Sequence, residues 1–267
     1  MVQGFETRDN TDIPVRALVE SANGHMWKKE RAVDQYEQTN WPGFDYKFNK
    51  PIAVFGMLRG TGQLIEECNR DGQDFYYFDH AYLLGNKHSV SDIVGDKVYR
   101  LTKNGFHIRE IKKLKKPDYE RIEKYKPYIE LKPWKYEGDY ILYIPPSEHV
   151  KKYYWFNNHW EEETLKTIKK YTRKPIKIRT KESKTSLDKD LENAYCTVSY
   201  QSTVCIKSIM NGVPSFCDKS SMGLPVSLTD MSQIKDPLYT PEREQWIDNM
   251  LANQFTMTEL RNGTAWK

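Results

Sequence analysis

Four polar residues, Ser199, Gln201, Ser202 and Thr203, stand where an apolar, β-branched run gives way to an apolar helix. Tyr195–Ser199 reads as a strand. Thr203–Met210 follows as a helix with Ser202 as its N-cap, and Gly212 and Pro214 stop it. The first N–H groups of such a helix, with its dipole, favour phosphate. Open α/β sheets bind ligands at the carboxyl ends of their strands. Ala194–Asp218 therefore points to a phosphorylated ligand. Upstream, Arg179 and Lys181 end another short run and, alternating along a strand, face the same way. A guanidinium and an ammonium there can neutralise a diphosphate and stabilise a leaving nucleotide. The plain alternative is a basic strand end in solvent.

A second group lies in FYYFDHAY. Asp79 follows an apolar strand and should emerge at its carboxyl end. A carboxylate partly desolvated by Tyr76, Tyr77 and Tyr82 suits a base that takes the proton from an attacking hydroxyl. His80 is the rival base or the partner of Asp79, and a turn-capping Asp79 is the structural alternative. Arg59, Gly60 and Gly62 form an RGTG loop that can approach an acceptor or a donor phosphate closely; a plain tight turn explains it equally well. Asp188-Lys189-Asp190 has the letters of a metal-binding DxD but reads as a solvated helix start. Cys68, Cys196, Cys205 and Cys217 form no CxxC pair, so no metal site is expected. They read as small buried hydrophobes.

These residues need elements to hold them. Pro51–Met57 is a buried strand, Gln63–Arg70 a helix broken by Asp71-Gly72, and Phe75–Phe78 a second strand. Tyr99–Leu101 and Phe106–Ile108 read as a hairpin around Asn104-Gly105. The first 45 residues are mixed and polar, with an amphipathic helix expected at Met26–Glu37. Arg109–Pro133 is a basic, tyrosine-rich connection with a short helix near Asp118–Tyr125. Tyr140–Ile144, Ile176–Arg179 and Tyr195–Ser199 are strands alternating with helices at Trp160–Tyr171 and Leu187–Glu192. Helices at Pro241–Ala252 and Thr258–Asn262 close the chain. The pattern is α/β: two Rossmann-like halves, 1–136 and 137–267, expected to face a cleft in the GT-B manner.

Composition narrows the class. The chain has 267 residues, 38% hydrophobic and 13% aromatic, enough for a real core. No run approaches the roughly 20 apolar residues of a membrane helix. The polar N-terminus lacks a signal pattern, and a cytoplasmic protein is expected. The net charge is only +4, yet Lys97–Tyr136 holds 13 Lys/Arg against 5 Asp/Glu, and Lys151–Lys181 holds 10 against 3. Two basic blocks imply a polyanion, a phosphorylated small molecule, or a lysine-rich solvated face.

The motifs FGMLRGTG, FYYFDHAY, YRLTKNGFH, IKIRTK, YQSTVCIKSIMNGVPSF and ELRNGTAW, taken in order, resemble viral and bacterial GT-B glycosyltransferases from about residue 50 onward. The nearest likeness is to phage-borne enzymes, some of which glycosylate modified DNA bases. The resemblance implies that Ser199, Gln201, Ser202 and Thr203 contact a donor diphosphate, and that Arg179 and Lys181 face that donor. It implies metal-free, inverting transfer with Asp79 as base and no tightly bound cofactor. The co-substrate would be a nucleotide-sugar, UDP-glucose or a related compound. The chain departs from the group at Lys207-Ser208, where relatives carry Glu-Ala. That glutamate binds ribose hydroxyls, and an ammonium only donates.

For the acceptor, the basic blocks interleave with Tyr119, Tyr125, Tyr128, Trp134, Tyr136, Tyr153, Tyr154, Trp155 and Trp160. Such a surface can hold a nucleic-acid backbone and receive an extruded base. The leading expectation is sugar transfer to 5-hydroxymethyl-pyrimidines in double-stranded DNA, in host cytoplasm if the gene is phage-borne. The alternatives are a glycosyltransferase of surface-polysaccharide synthesis, and a non-catalytic nucleic-acid-binding protein on a Rossmann scaffold.

Overall fold

The computed structural model describes residues 1–8, 12–47, 49–87, 89–154 and 159–266. Trp155 of the second basic block lies outside them. Two compact units result: Met1–Phe106 with Met250–Lys267, and His107–Asn249. The 136/137 division drawn from the sequence differs for two reasons. The connection 107–136 belongs to the second unit, where Lys132 and Lys135 donate backbone hydrogen bonds to Met210 and Gly212 (2.8 and 2.7 Å). The tail returns to the first unit as a strand. Among the described residues, no helix is long and apolar enough to cross a membrane.

The first unit begins with β1 (Gln3–Phe5), α1 (Ile13–Ser21) and β2 (His25–Trp27). It continues with β3 (Ile52–Phe55), α2 (Thr61–Asp71), β4 (Phe75–His80) and β5 (Val98–Lys103). The helix expected at Met26–Glu37 is absent, because Met26 and Trp27 pair in parallel with Gly4 and Phe5. The expected hairpin partner Phe106–Ile108 is not a strand. Asn104 takes the Phe75 N–H on its side chain (2.9 Å), and the Phe106 ring turns onto Tyr77 (4.9 Å).

The second unit runs through α3 (Lys116–Ile122), β6 (Tyr140–Ile144), α4 (Glu148–Tyr153), α5 (His159–Tyr171) and β7 (Ile176–Ile178). It then adds α6 (Leu187–Glu192), β8 (Ala194–Ser199), α7 (Val204–Met210) and β9 (Ser215–Phe216). The chain leaves through α8 (Arg243–Ala252) and ends with β10 (Gln254–Thr256) and α9 (Met257–Arg261) back in the first unit.

The first sheet has the order β10-β5-β4-β3-β1-β2, with every strand in one direction except β5, which runs antiparallel to both its neighbours β4 and β10. Alternation assigns its two faces. Ile52, Val54, Phe75 and Tyr77 pack under α2 with Phe5, Trp41 and Leu64. Ala53 and Phe78 pack with Leu18 of α1 and with Met257 and Leu260 of α9. The second sheet is wholly parallel, order β7-β6-β8-β9. Its central strand YILYI puts Ile141 and Tyr143 on one face with Ile168 of α5, and Leu142 and Ile144 on the other with Leu191 and Val213. Burying each of these large side chains contributes about 1.5–3 kcal/mol. Both units are thus doubly wound α/β layers.

Strand order locates the ligand edges. In the second sheet the chain steps from β6 outward to β7, crosses back to β8, then moves on to β9, so the winding reverses between β6 and β8. In the first it reverses between β1 and β3. Crevices open outside the carboxyl ends of strands at such points.

Candidate functional site

The turn after β8 lies at the reversal point of the second sheet. Ser199 ends the strand, 3% exposed, and its hydroxyl is buried with no hydrogen-bond partner among the described residues. Gln201 is buried and donates from Nε2 to the Tyr154 hydroxyl (2.9 Å) and to Ser220 Oγ (2.5 Å). Ser220 in turn donates to Asp218 Oδ1 from both its amide and its hydroxyl (2.9 and 2.5 Å). Ser202 Oγ accepts the Val204 N–H (3.2 Å) across the turn, but it is not the N-cap expected from the sequence: α7 starts one residue later, with exposed Thr203 at the cap and no side-chain capping bond. One connected polar set thus joins residues that follow β6, β8 and β9.

Aromatic packing fixes this edge. The Tyr200 ring stands edge-on to Tyr154 (5.5 Å) and to Trp160 (5.4 Å). Burial pushes the Tyr200 hydroxyl up to about 12 and raises that of Tyr154, so both stay protonated as hydrogen-bonding groups. The charge of exposed Arg109 acts on Tyr154 weakly in the opposite sense. The sequence reading puts Tyr154 on the acceptor surface, whereas the structure binds it to Gln201; Asp218 and Ser220 are additions, for which the polar DKSS after β9 is the sequence signal.

Arg179 and Lys181 do not share a strand face here. β7 ends at Ile178, and Lys181 sits exposed in the following turn. Arg179 instead pairs with the buried carboxylate of Asp190 and donates to the Thr185 carbonyl (2.9 Å). Lys177 takes the other oxygen of Asp190 (2.8 Å). Burial pushes the Asp190 carboxyl up, but hydrogen bonds from Lys177, Thr185 and Arg179 outweigh it and hold the pKa below the ordinary value. Asp190 is therefore not part of a solvated helix start. It is the buried anchor of the two cations. Lys207 faces Asp188 (3.4 Å). Its neighbour Ser208 is buried with Thr197 (2.9 Å) and donates to the Val213 carbonyl (3.0 Å), pinning α7 to the sheet.

In the first unit, Asp79 and His80 lie within β4 and alternate onto opposite faces. Asp79 shares the face of Tyr77, not Tyr76. Its Oδ2 accepts from Arg100 Nη2 (2.6 Å) and the Tyr77 hydroxyl (3.2 Å), and its Oδ1 from the His80 amide (2.7 Å). Arg100 is buried, with Tyr82 and Tyr77 rings 5.0 and 5.8 Å from its guanidinium. The expected aromatic surround exists, but it encloses an ion pair. The His80 ring packs edge-on to Phe55 (5.7 Å), so the two candidates are not partners through their side chains' shared face. Arg59 donates from Nε to the Val33 carbonyl (3.2 Å) and has φ +61. Gly60 begins α2 at φ +89, and Gly62 is buried in its first turn.

No protein-family model matches the chain, and no curated protein matches its sequence. Solved structures do. The chain is similar to KpsC of Thermosulfurimonas dismutans, a beta Kdo 2,7 transferase, at 10% identity over 100% of this chain and 99% of that one, with TM-score 0.50. A beta Kdo 2,4 transferase, also KpsC of that organism, aligns at 8% identity over 94% and 89% with TM-score 0.47. The first likeness shows the fold, two Rossmann-like α/β units as read from the sequence.

Proposed function

We propose that the chain is a glycosyltransferase that holds a nucleotide-activated sugar at the carboxyl edge of the second sheet and passes the sugar to a saccharide hydroxyl. One observation carries the reading. At the reversal point, the buried Ser199 hydroxyl has no partner among the described residues, beside the Tyr154–Gln201–Ser220–Asp218 set. An unmet buried hydroxyl costs about 1–3 kcal/mol, which a bound ligand offsets by supplying the missing bond. Ser202 and Thr203 lead into the adjacent helix, with Thr203 at its N-cap. Arg179 and Lys181 contribute through the walls of the site, Arg179 by fixing the 185–190 segment.

In the transfer, the acceptor oxygen bonds to the anomeric carbon as its proton passes to a base, and the bond to the nucleotide phosphate breaks. Asp79 is the first candidate base and His80 the second. Inversion, a UDP-sugar donor and metal-free departure belong to this proposal. Arg59, Gly60 and Gly62 would shape the acceptor side through the start of α2.

A saccharide acceptor is favoured over DNA by the pairing of the basic blocks. Lys126 meets Asp248 (3.2 Å), Lys112 meets Glu110 (3.2 Å), and Lys151 meets Glu148 (3.0 Å) and Glu161. Trp134 lies under Arg243 (4.2 Å) and Tyr154 and Trp160 pack on Tyr200. The fold shared with a Kdo transferase supports the same choice. The DNA reading keeps one specific support: Tyr119, Tyr128 and Tyr136 of the basic segment are 42%, 57% and 73% exposed. Incubation with UDP- and CMP-activated sugars, and with oligosaccharides or hydroxymethylated DNA, separates the readings by the mass gained. Gain on a saccharide supports the proposal, and gain on DNA alone moves the acceptor. No gain with any pair supports a non-catalytic scaffold.

A further inference from the structure

A cavity of about 300 Å3 lies in the first unit between the 38–46 segment and the start of α2. Nothing in the donor site uses it. Its back wall is Trp41, 3% exposed, held by its indole N–H on the Glu6 carbonyl (2.9 Å) and edge-on to Phe5 (5.1 Å). Its outer side is Tyr46, 38% exposed, against Phe44 (4.9 Å). Gln38, Gln63 and Glu67 add polar groups, with Gln63 Nε2 donating to Glu67 Oε1 (3.1 Å). Gly60 permits the closure. A Cβ there would lie 3.2 Å from the Trp41 ring and 3.4 Å from the Thr39 carbonyl oxygen, at a φ of +89.

The chemistry of the lining selects the ligand. Lys, Arg and His are absent from the residues that form it, and Glu67 brings the one ionisable carboxylate. Phosphate, nucleotide and sugar acids would meet a like charge and no cation. Amide side chains and a carboxylate offer donors and acceptors at short spacing. Trp41 contributes aromatic surface, its N–H already spent on Glu6, and Tyr46 contributes aromatic surface with a hydroxyl tip. A concave site of this size, at the small end of ligand pockets, with rigid aromatic walls and a few polar groups, suits a small hydroxyl-rich molecule. Gly60 follows β3, and Asp79 is the penultimate residue of its paired neighbour β4, so the Gly60 wall of the cavity stands at the sheet edge that carries the candidate base.

We propose that this cavity is a subsite for a neutral sugar residue of the acceptor. The acceptor role rests on the transfer reading; the preference for a neutral sugar does not. The test is ligand-observed NMR on the full chain, with lactose and maltose as neutral probes and glucuronic acid as the anionic one. Neutral probes should give saturation transfer, and glucuronic acid should give at least fivefold less. Tyr46→Ala and Gln63→Leu, both at exposed side chains, should each cut the neutral signal at least fivefold. Gln201→Leu, in the other unit, should leave it unchanged while weakening nucleotide-sugar binding. The inference is overturned if neither neutral sugar binds, if glucuronic acid binds as well, or if both cavity variants bind like wild type. A chain that binds lactose or maltose in this way yet transfers no sugar would refute the transfer reading and leave the subsite standing.

Discussion

Replacing Asp79 tests its structural role before its chemical one. Its partner Arg100 is 5% exposed and Asp79 is 28% exposed, with 2.6 Å between them. Burial opposes the charge of Arg100, and Asp79, Tyr82 and Tyr77 together hold it ionised, above the ordinary range. Asp79→Asn leaves that charge in the sheet without a counter-ion. Breaking a buried pair costs about 3–5 kcal/mol, and the part-exposed carboxylate puts this case near 3. For a unit of this size that is a fall of roughly 10 °C in Tm. The assay is thermal unfolding followed by circular dichroism, with Asp79→Ala, Arg100→Met and the double variant alongside. The double variant should recover most of the loss, because removing both charges removes the penalty. An Asp79→Asn protein that melts within about 0.5 kcal/mol of wild type, or a double variant no better than Asp79→Ala, would refute the reasoning.

Other outcomes follow from the same geometry. Ser199→Ala should leave stability unchanged or slightly raised, since it removes an unmet buried hydroxyl, while nucleotide-sugar affinity measured by calorimetry falls. Gly212→Ala places a Cβ 1.9 Å from the Pro133 carbonyl at φ +74, whereas at Gly72, φ +67, the space is open. Gly72→Ala should cost about 1–2 kcal/mol in urea unfolding and Gly212→Ala clearly more. The pKa of Asp190 is lowered in the folded state, so its contribution is present above the ordinary carboxylate value of about 3.9 and is lost as pH falls through the folded value. The stability gap between wild type and Asp190→Asn, read from urea midpoints, should therefore shrink progressively as pH falls below about 4. Burial raises the Cys68 thiol to about 12 and the Cys217 thiol to about 11, so native protein should resist iodoacetamide at pH 8 and react after unfolding.

What the sequence made legible had local causes. PIAVFGM, YILYI and AYCTVS are apolar runs bounded by turn residues, and each is a strand. Leu187–Glu192 is helical as expected, with Ser186 Oγ accepting the Lys189 N–H. The misses are non-local. Gln3–Phe5 and His25–Trp27 are three residues each and become strands through each other. Met26–Glu37 has polar spacing that mimics a helix, yet its first two residues are used in the sheet. Asp190 looks solvated in LDKDLE until Lys177 and Arg179 arrive from a strand end ten or more residues away. The same holds at the site. Ser199, Gln201 and Ser202 are neighbours in a local strand-turn-helix, whereas Tyr154 and Ser220 join Gln201 only through sheet order.

The central claim is that the carboxyl edge of the second sheet holds a nucleotide-sugar. Calorimetric titration of UDP- and CMP-activated sugars into wild type and Gln201→Leu tests it most directly. Saturable binding of at least one nucleotide-sugar, weakened tenfold or more by Gln201→Leu, a change of about 1.4 kcal/mol, is the predicted result. Binding that the substitution leaves untouched, or no binding by any nucleotide-sugar, would contradict it.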